Sequence, residues 1–347
     1  MSRIVHARSI LFASPALVFA IARAPAIEWQ TQTSGVTVRL RGVSAVSSLV
    51  AWAGGANGTV LRTTDGGRSW QLRPVPGAEK LDFRDVDAMS DRVAFALSIG
   101  PGESSRIYKT SDGGGHWDLQ FANTDPKVFL DAMTFSDEAH GLAFSDSVDG
   151  RFVILTTATG GRGWDRVPAD RLPAALPGEG AFAASGTNVA MYGRDHVWIG
   201  TTASRVLRSS DGGRTWRVAA TPVATGDATG IFSIAFRDAR HGVAVGGNYR
   251  LEAQAVDNAA FTSDGGATWT PVKDHGLSGF RSVVAFLPGA ERSLIAIGPS
   301  GADVSADDGH TWTPLEGAGF DTLSVARRGG AGWAAGQLGR ISRVTWR

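Results

Sequence analysis

Ser209-Ser210-Asp211-Gly212-Gly213-Arg214-Thr215-Trp216 is a stretch that this chain keeps rewriting. Copies run from Thr63 to Trp70, Thr110 to Trp117, Thr262 to Trp269 and Ser305 to Trp312, with a worn one from Thr157 to Trp164. All follow Ser/Thr-x-Asp-x-Gly-x-Thr/Ser-Trp with slippage: His116 and Gly163 stand where the hydroxyl residue is due, and Thr159 where the Asp is due. Self-similarity with a period of about fifty residues marks an array of small units that bury their faces only by stacking.

The unit reads as a hairpin. A short strand such as Arg205-Val206-Leu207-Arg208 runs into Asp-Gly-Gly. There the carboxylate can accept backbone N–H groups and the glycines supply positive φ. The Trp opens the returning strand and its apolar body seals the sheet edge. Asp65, Asp112, Asp211, Asp264 and Asp307, with Trp70, Trp117, Trp216, Trp269 and Trp312, are therefore read as turn staples rather than as a metal or catalytic site.

These residues resemble the Asp-box, or bacterial neuraminidase repeat, of sialidases, sortilin-type receptors and photosystem II assembly/stability factor-like proteins. The resemblance implies β-propeller blades and says little about chemistry. It also implies that the repeated hairpins lie on the face away from the ligand mouth.

Working outward, Met1 to Ala26 reads as an export signal: Arg3, His6 and Arg8 lead, Ser9 to Ala22 is mostly apolar, and Ala24-Pro25-Ala26 is an A-x-A cleavage site. The apolar run is short for a membrane span and Arg23 interrupts it, with an uncleaved anchor as the alternative. The expectation is a periplasmic or secreted, monomeric protein with no transmembrane segment after cleavage. The formal net charge of +1 gives no pull toward nucleic acid, and the absence of cysteine removes disulfides, thiolate metal sites and thiol nucleophiles together. No cofactor and no metal are expected.

The Trp markers Trp70, Trp117, Trp164, Trp216, Trp269 and Trp312 define six blades. The tail from Phe320 to Arg347 holds three strand-like pieces and lacks a fourth. Ile27-Glu28-Trp29-Gln30 resembles Thr215-Trp216-Arg217 and supplies it. The fold expected is all-β, a single seven-bladed propeller over residues 27–347, closed by an N-terminal strand that completes the last blade.

In such a ring the loops that lead into the inner strands share a face with those joining second to third strands, and the binding mouth is expected there. Inner strands begin at Arg41, Arg84-Asp85, Asp131, Arg281-Ser282 and Asp321-Thr322; opposite loops carry Arg106, Asp146, Asp149, Arg151, Arg205, Arg250, Asp303 and Arg340. The candidate partner-binding set is Arg84, Arg281, Asp85, Asp131, Arg106, Arg151 and Arg41, with the arginines suited to carboxylate or phosphate. Their competing role is as solvated loop ends and salt bridges between blades. Two irregular insertions, Pro168 to Gly180 and Gly247 to Asn258, belong to the same face.

A sialidase would need an arginine triad, a tyrosine nucleophile with a glutamate partner, and an acid/base. The only tyrosines are Tyr108, Tyr192 and Tyr249, the N-terminal Arg-Ile-Pro signature is missing, and Glu103, Glu138, Glu179, Glu252, Glu291 and Glu316 sit in turn-like contexts. No histidine accompanies a nucleophile elbow, and no glycine-rich dinucleotide loop is present. Leu81-Asp82-Phe83-Arg84-Asp85-Val86, Ser105-Arg106-Ile107-Tyr108-Lys109-Thr110, Gly279-Phe280-Arg281-Ser282 and Gly332-Trp333-Ala334-Ala335-Gly336 look like blade signatures of the photosystem II assembly/stability factor-like family. That resemblance implies a non-catalytic exported binding propeller whose partner is a protein, such as an exported or membrane protein, held through an arginine-containing patch. A sialidase-like or other glycoside hydrolase is the alternative.

Overall fold

The computed structural model describes residues 24–317, 319–327 and 329–347; the first 23 residues of the expected export signal lie outside them. Seven antiparallel four-stranded sheets follow one another around a ring. Blade one is Leu40–Ala45, Ala51–Gly55, Val60–Thr63 and Gln71–Leu72, from the axis outward. The inner strands of blades two to seven are Asp82–Ala88, Leu130–Phe135, Val189–Tyr192, Thr229–Phe236, Val283–Phe286 and Thr322–Val325. No α-helix occurs among the described residues.

The ring closes as the sequence leads one to expect. Ile27–Gln32 pairs antiparallel with Ile341–Trp346 as the outermost strand of blade seven. Trp29 stacks on Phe320, ring centroids 5.5 Å apart and planes 13° from parallel. Gln32 fastens this seam to blade one: its amide donates to the Gly66 carbonyl (2.8 Å), and its oxygen accepts the indole N–H groups of Trp70 (3.0 Å) and Trp333 (3.1 Å).

The repeated hairpin owes its shape to one carboxylate. Asp211 accepts the Ser209 hydroxyl (2.8 Å), the Arg214 and Thr215 amides (both 3.0 Å) and the Thr215 hydroxyl (2.6 Å). Burial pushes its carboxyl up, but the hydrogen bonds from Thr215, Ser209 and Arg214 outweigh that and hold it down to about 2. Gly213 sits at φ +83°, where an L side chain is strained, and donates its N–H to Ser209. Asp65, Asp112, Asp264 and Asp307 repeat the pattern. In the worn copy the Thr159 hydroxyl takes the Gly163 amide instead. Trp216 and Trp312 are buried and donate back to the Gly213 and Gly309 carbonyls.

Adjacent blades are also stitched along the axis. An inner strand lends a short polar side chain to an amide of the next: Ser324 to Ala45 (3.0 Å), Ser44 to Ala88 (3.0 Å), Asp87 to Phe135 (2.7 Å) and Ser233 to Val284 (3.0 Å). Each accepts an N–H that the ladder of its own blade leaves over.

Candidate functional site at the central mouth

Four inner strands carry a one-residue bulge, and the extra residues are Arg41, Arg84, Asp131 and Phe232. A bulge turns a side chain out of the alternation of its strand. Three of these four line a cleft of about 430 Å³ at the axis, on the face opposite the repeated hairpins. Arg39, Arg41 and Arg84 form one side of it; Phe182, Phe232, Tyr249 and Phe280 form the other, with Glu252, Asp321 and Gln337 between.

The three arginines differ in what they already hold. Arg39 makes a fork with Asp321, at 2.8 and 2.5 Å, and that hydrogen-bonded partner raises its pKa. Arg84 binds Asp82 (2.7 Å) and the Ala183 carbonyl (2.9 Å). Arg41 is half-buried and has no hydrogen-bond or ion-pair partner among the described residues. Burial first, then the neighbouring Arg84 and Arg39, push its pKa down to about 10, which leaves it a cation at neutral pH.

The floor is a segment from blade four laid across the axis. Ser185 donates to the Ser282 carbonyl (2.8 Å) and accepts at its own carbonyl from Thr322; Thr187 donates to Ser233 (2.8 Å). Gly186, at φ +74°, passes over Asp85 so closely that a Cβ there would lie 2.4 Å from the carboxyl carbon. Asp85 is therefore sealed below the floor. It accepts the Met133 amide (2.7 Å), and burial, with Asp87 adding, raises its pKa well above the usual carboxylate range against that bond.

Other expected members of the site are not at the mouth. Arg281 is 2% exposed and buried in a pair with Asp303 (2.6 Å) of its own blade, also donating to Ser278 and Phe280; it is a structural cation, not a free one. Asp131 is covered by the stretch before Phe182 and faces Asp146, whose carboxylate accepts the Ala181 amide. Burial and then Asp146 raise the pKa of Asp131, and burial raises that of Asp146. Arg106 is held on the third strand of blade two by the Glu103 carbonyl and the Tyr108 hydroxyl, and Arg151 donates to the Leu172 carbonyl in blade three.

Residues not anticipated are Arg39, Phe182, Phe232 and the floor Ala183 to Thr187; Tyr249 and Glu252 fall inside the insertion singled out in sequence. The other insertion ends in Glu179, buried and paired with Arg205, which pins the chain before it crosses the axis. A second cleft of about 650 Å³ opens on the hairpin face, where Arg237 and Arg292 are both engaged by Asp308 (2.7 and 2.8 Å).

No protein-family model matches the chain, and no curated protein matches it in sequence. Among solved structures it is similar to "YCF48 bound to D1 peptide", with 17% identity, a TM-score of 0.63, and coverage of 93% of this chain and 99% of that one. It is also similar to YCF48 from Cyanidioschyzon merolae, with 18% identity, a TM-score of 0.65, and coverage of 91% and 98%. At that identity the likeness is one of fold, the seven-bladed ring.

Proposed function

We propose that this chain is an exported, non-catalytic binding propeller that takes an anionic group of a protein partner in its central mouth, in the manner of an assembly factor. Arg41 carries the reading. A half-buried guanidinium with no direct partner, flanked by two further arginines, has lost hydration that the more weakly acting Asp321 and Asp82 do not make good. A carboxylate docked there would do so, through paired N–H donors. The repeated hairpins support placement among Asp-box propellers of the photosystem II assembly/stability factor-like group, and the YCF48 structure that holds a D1 peptide supports a peptide as the thing bound. A periplasmic or secreted location and a monomeric state belong to the same proposal.

The test is titration calorimetry with a short aspartate-containing peptide and its asparagine counterpart. The acidic peptide is expected to bind and the neutral one not, with Arg41→Gln weakening binding about tenfold and leaving thermal stability intact. Equal binding by wild type and Arg41→Gln refutes it.

One observation favours a second reading, a glycosidase: Arg39, Arg41, Arg84, Tyr249 and Glu252 all line one mouth. Against it, Arg39 and Arg84 are already occupied by carboxylates, and Tyr249 lies under the Arg250 guanidinium, 5.6 Å from the ring centroid, rather than hydrogen-bonded to Glu252. Turnover of a fluorogenic sialoside would establish the second reading over the first.

A further inference from the structure

We infer that the segment bound at the mouth presents an aromatic or large aliphatic side chain directly beside its carboxylate; this rests on the anion-binding reading above and specifies the partner. The mouth is two-sided. Cationic groups come from blades one and two, and the facing wall is aromatic, built by the cross-axis segment and blades five and six. Phe182 stacks on Phe232 with centroids 3.8 Å apart and planes 7° from parallel, and Tyr249 meets both rings edge-on at 6.1 and 6.0 Å. Phe232 and Phe280 are themselves buried, with ring centroids 4.6 Å apart, so the wall is set before anything binds.

The spacing between the two halves is fixed by the chain itself. Arg84 holds the carbonyl of Ala183, the residue next to Phe182. The cationic and aromatic sides thus adjoin in one cleft, tied together through the floor. A ligand that satisfies both places its acid and its ring on adjacent residues.

The rim has the same character. Leu176, Tyr249, Leu251, Val256 and Leu338 are all exposed on the loops of this face. Leu338 is 81% exposed and stands at φ +56°, beside Gln337 of the cleft lining. A bulky residue held in the left-handed region with its side chain in solvent does nothing for the core; such strain and such exposure together mark a contact surface.

The experiment measures fluorescence polarisation of labelled serine/glycine peptides carrying Asp-Phe, Asp-Ala, Asn-Phe, or Asp and Phe separated by four residues. Asp-Phe is expected to bind about tenfold tighter than Asp-Ala and than the separated pair, as burial of one ring allows. Phe182→Ala should shrink that ratio below about threefold. Tyr249→Ala, at a position already 42% exposed and therefore not needed for folding, should shrink it as well. Equal affinity for Asp-Phe and Asp-Ala overturns this inference and leaves anion binding standing. Failure of every aspartate peptide to bind removes both. Tightest binding by Asn-Phe overturns both in favour of a purely apolar groove.

Discussion

Replacing Arg281 by Ala distinguishes a cation that holds the fold from one that serves the mouth. The guanidinium and Asp303 are 2% and 0% exposed, so neither is screened by water. Arg281 donates to Asp303 at 2.6 Å, to the Phe280 carbonyl at 2.8 Å and to the Ser278 hydroxyl at 2.6 Å. After truncation Asp303 keeps only the Ser278 amide, at 3.2 and 3.4 Å to its two oxygens. A buried carboxylate so abandoned costs about 3–5 kcal/mol. With m at or above ~3 kcal/mol/M for a chain of this size, the urea midpoint should fall by about 1 M. The double variant Arg281→Met, Asp303→Leu restores an apolar pair of similar volume and should recover most of the loss. Arg41→Ala should move the midpoint little or upward, because it removes an unpaired half-buried charge. The assay is urea unfolding followed by tryptophan fluorescence. A loss below ~1 kcal/mol for Arg281→Ala, or an equal loss for Arg41→Ala, would refute the division of labour between the two.

Trp216→Ala should cost about 3–5 kcal/mol, since the ring is buried, and Asp211→Ala about 1–2 kcal/mol for the turn hydrogen bonds, both read by chemical denaturation. Trp29→Ala should cost roughly 2 kcal/mol and bring earlier aggregation on heating, seen by light scattering, because it loosens the strand that closes the ring. Asp87 is raised to about 6 by burial, with the Phe135 amide and Arg327 opposing. A raised carboxyl favours the fold below pH ~4 and loses that contribution as pH climbs through 6. Asp87→Asn should therefore stabilise by about 1–2 kcal/mol at pH 8 and by almost nothing at pH 4, in melts taken at both.

The ring was legible because its signal is repeated: five Asp turns and a worn sixth mark six blades, and the tail's missing fourth strand, matched by Trp29 at the other end, determines blade number and closure. The mouth was half legible. Arg41 and Arg84 could be picked out because they begin inner strands, whose ends face the mouth. That Arg281 is buried does not follow, because its partner stands 22 positions on, in another strand of the same blade, and only packing brings the two together. Nor could the floor be read: Phe182 to Thr187 has no repeat to be measured against, and Gly186 reveals its reason only once Asp85 is beneath it. The bulges that turn out Phe232 and Arg41 are register events, and register depends on both strands of a pair.

The seam of the ring has a temporal consequence. Gln32 and Trp333, joined by a hydrogen bond across 301 positions, belong to the earliest and the latest parts of the ring to be synthesised. Six hairpin units can form in order as the chain emerges, yet Ile27–Gln32 must wait, unpaired, until Ile341–Trp346 exists. A contact of such range is slow to make, and until it is made the third strand of blade seven offers an open edge to any neighbour. Closure of the ring at this seam is thus expected to come late in folding. A proteolytic cut between Ala26 and Leu40 during that interval would leave six complete blades and a seventh without its outer strand.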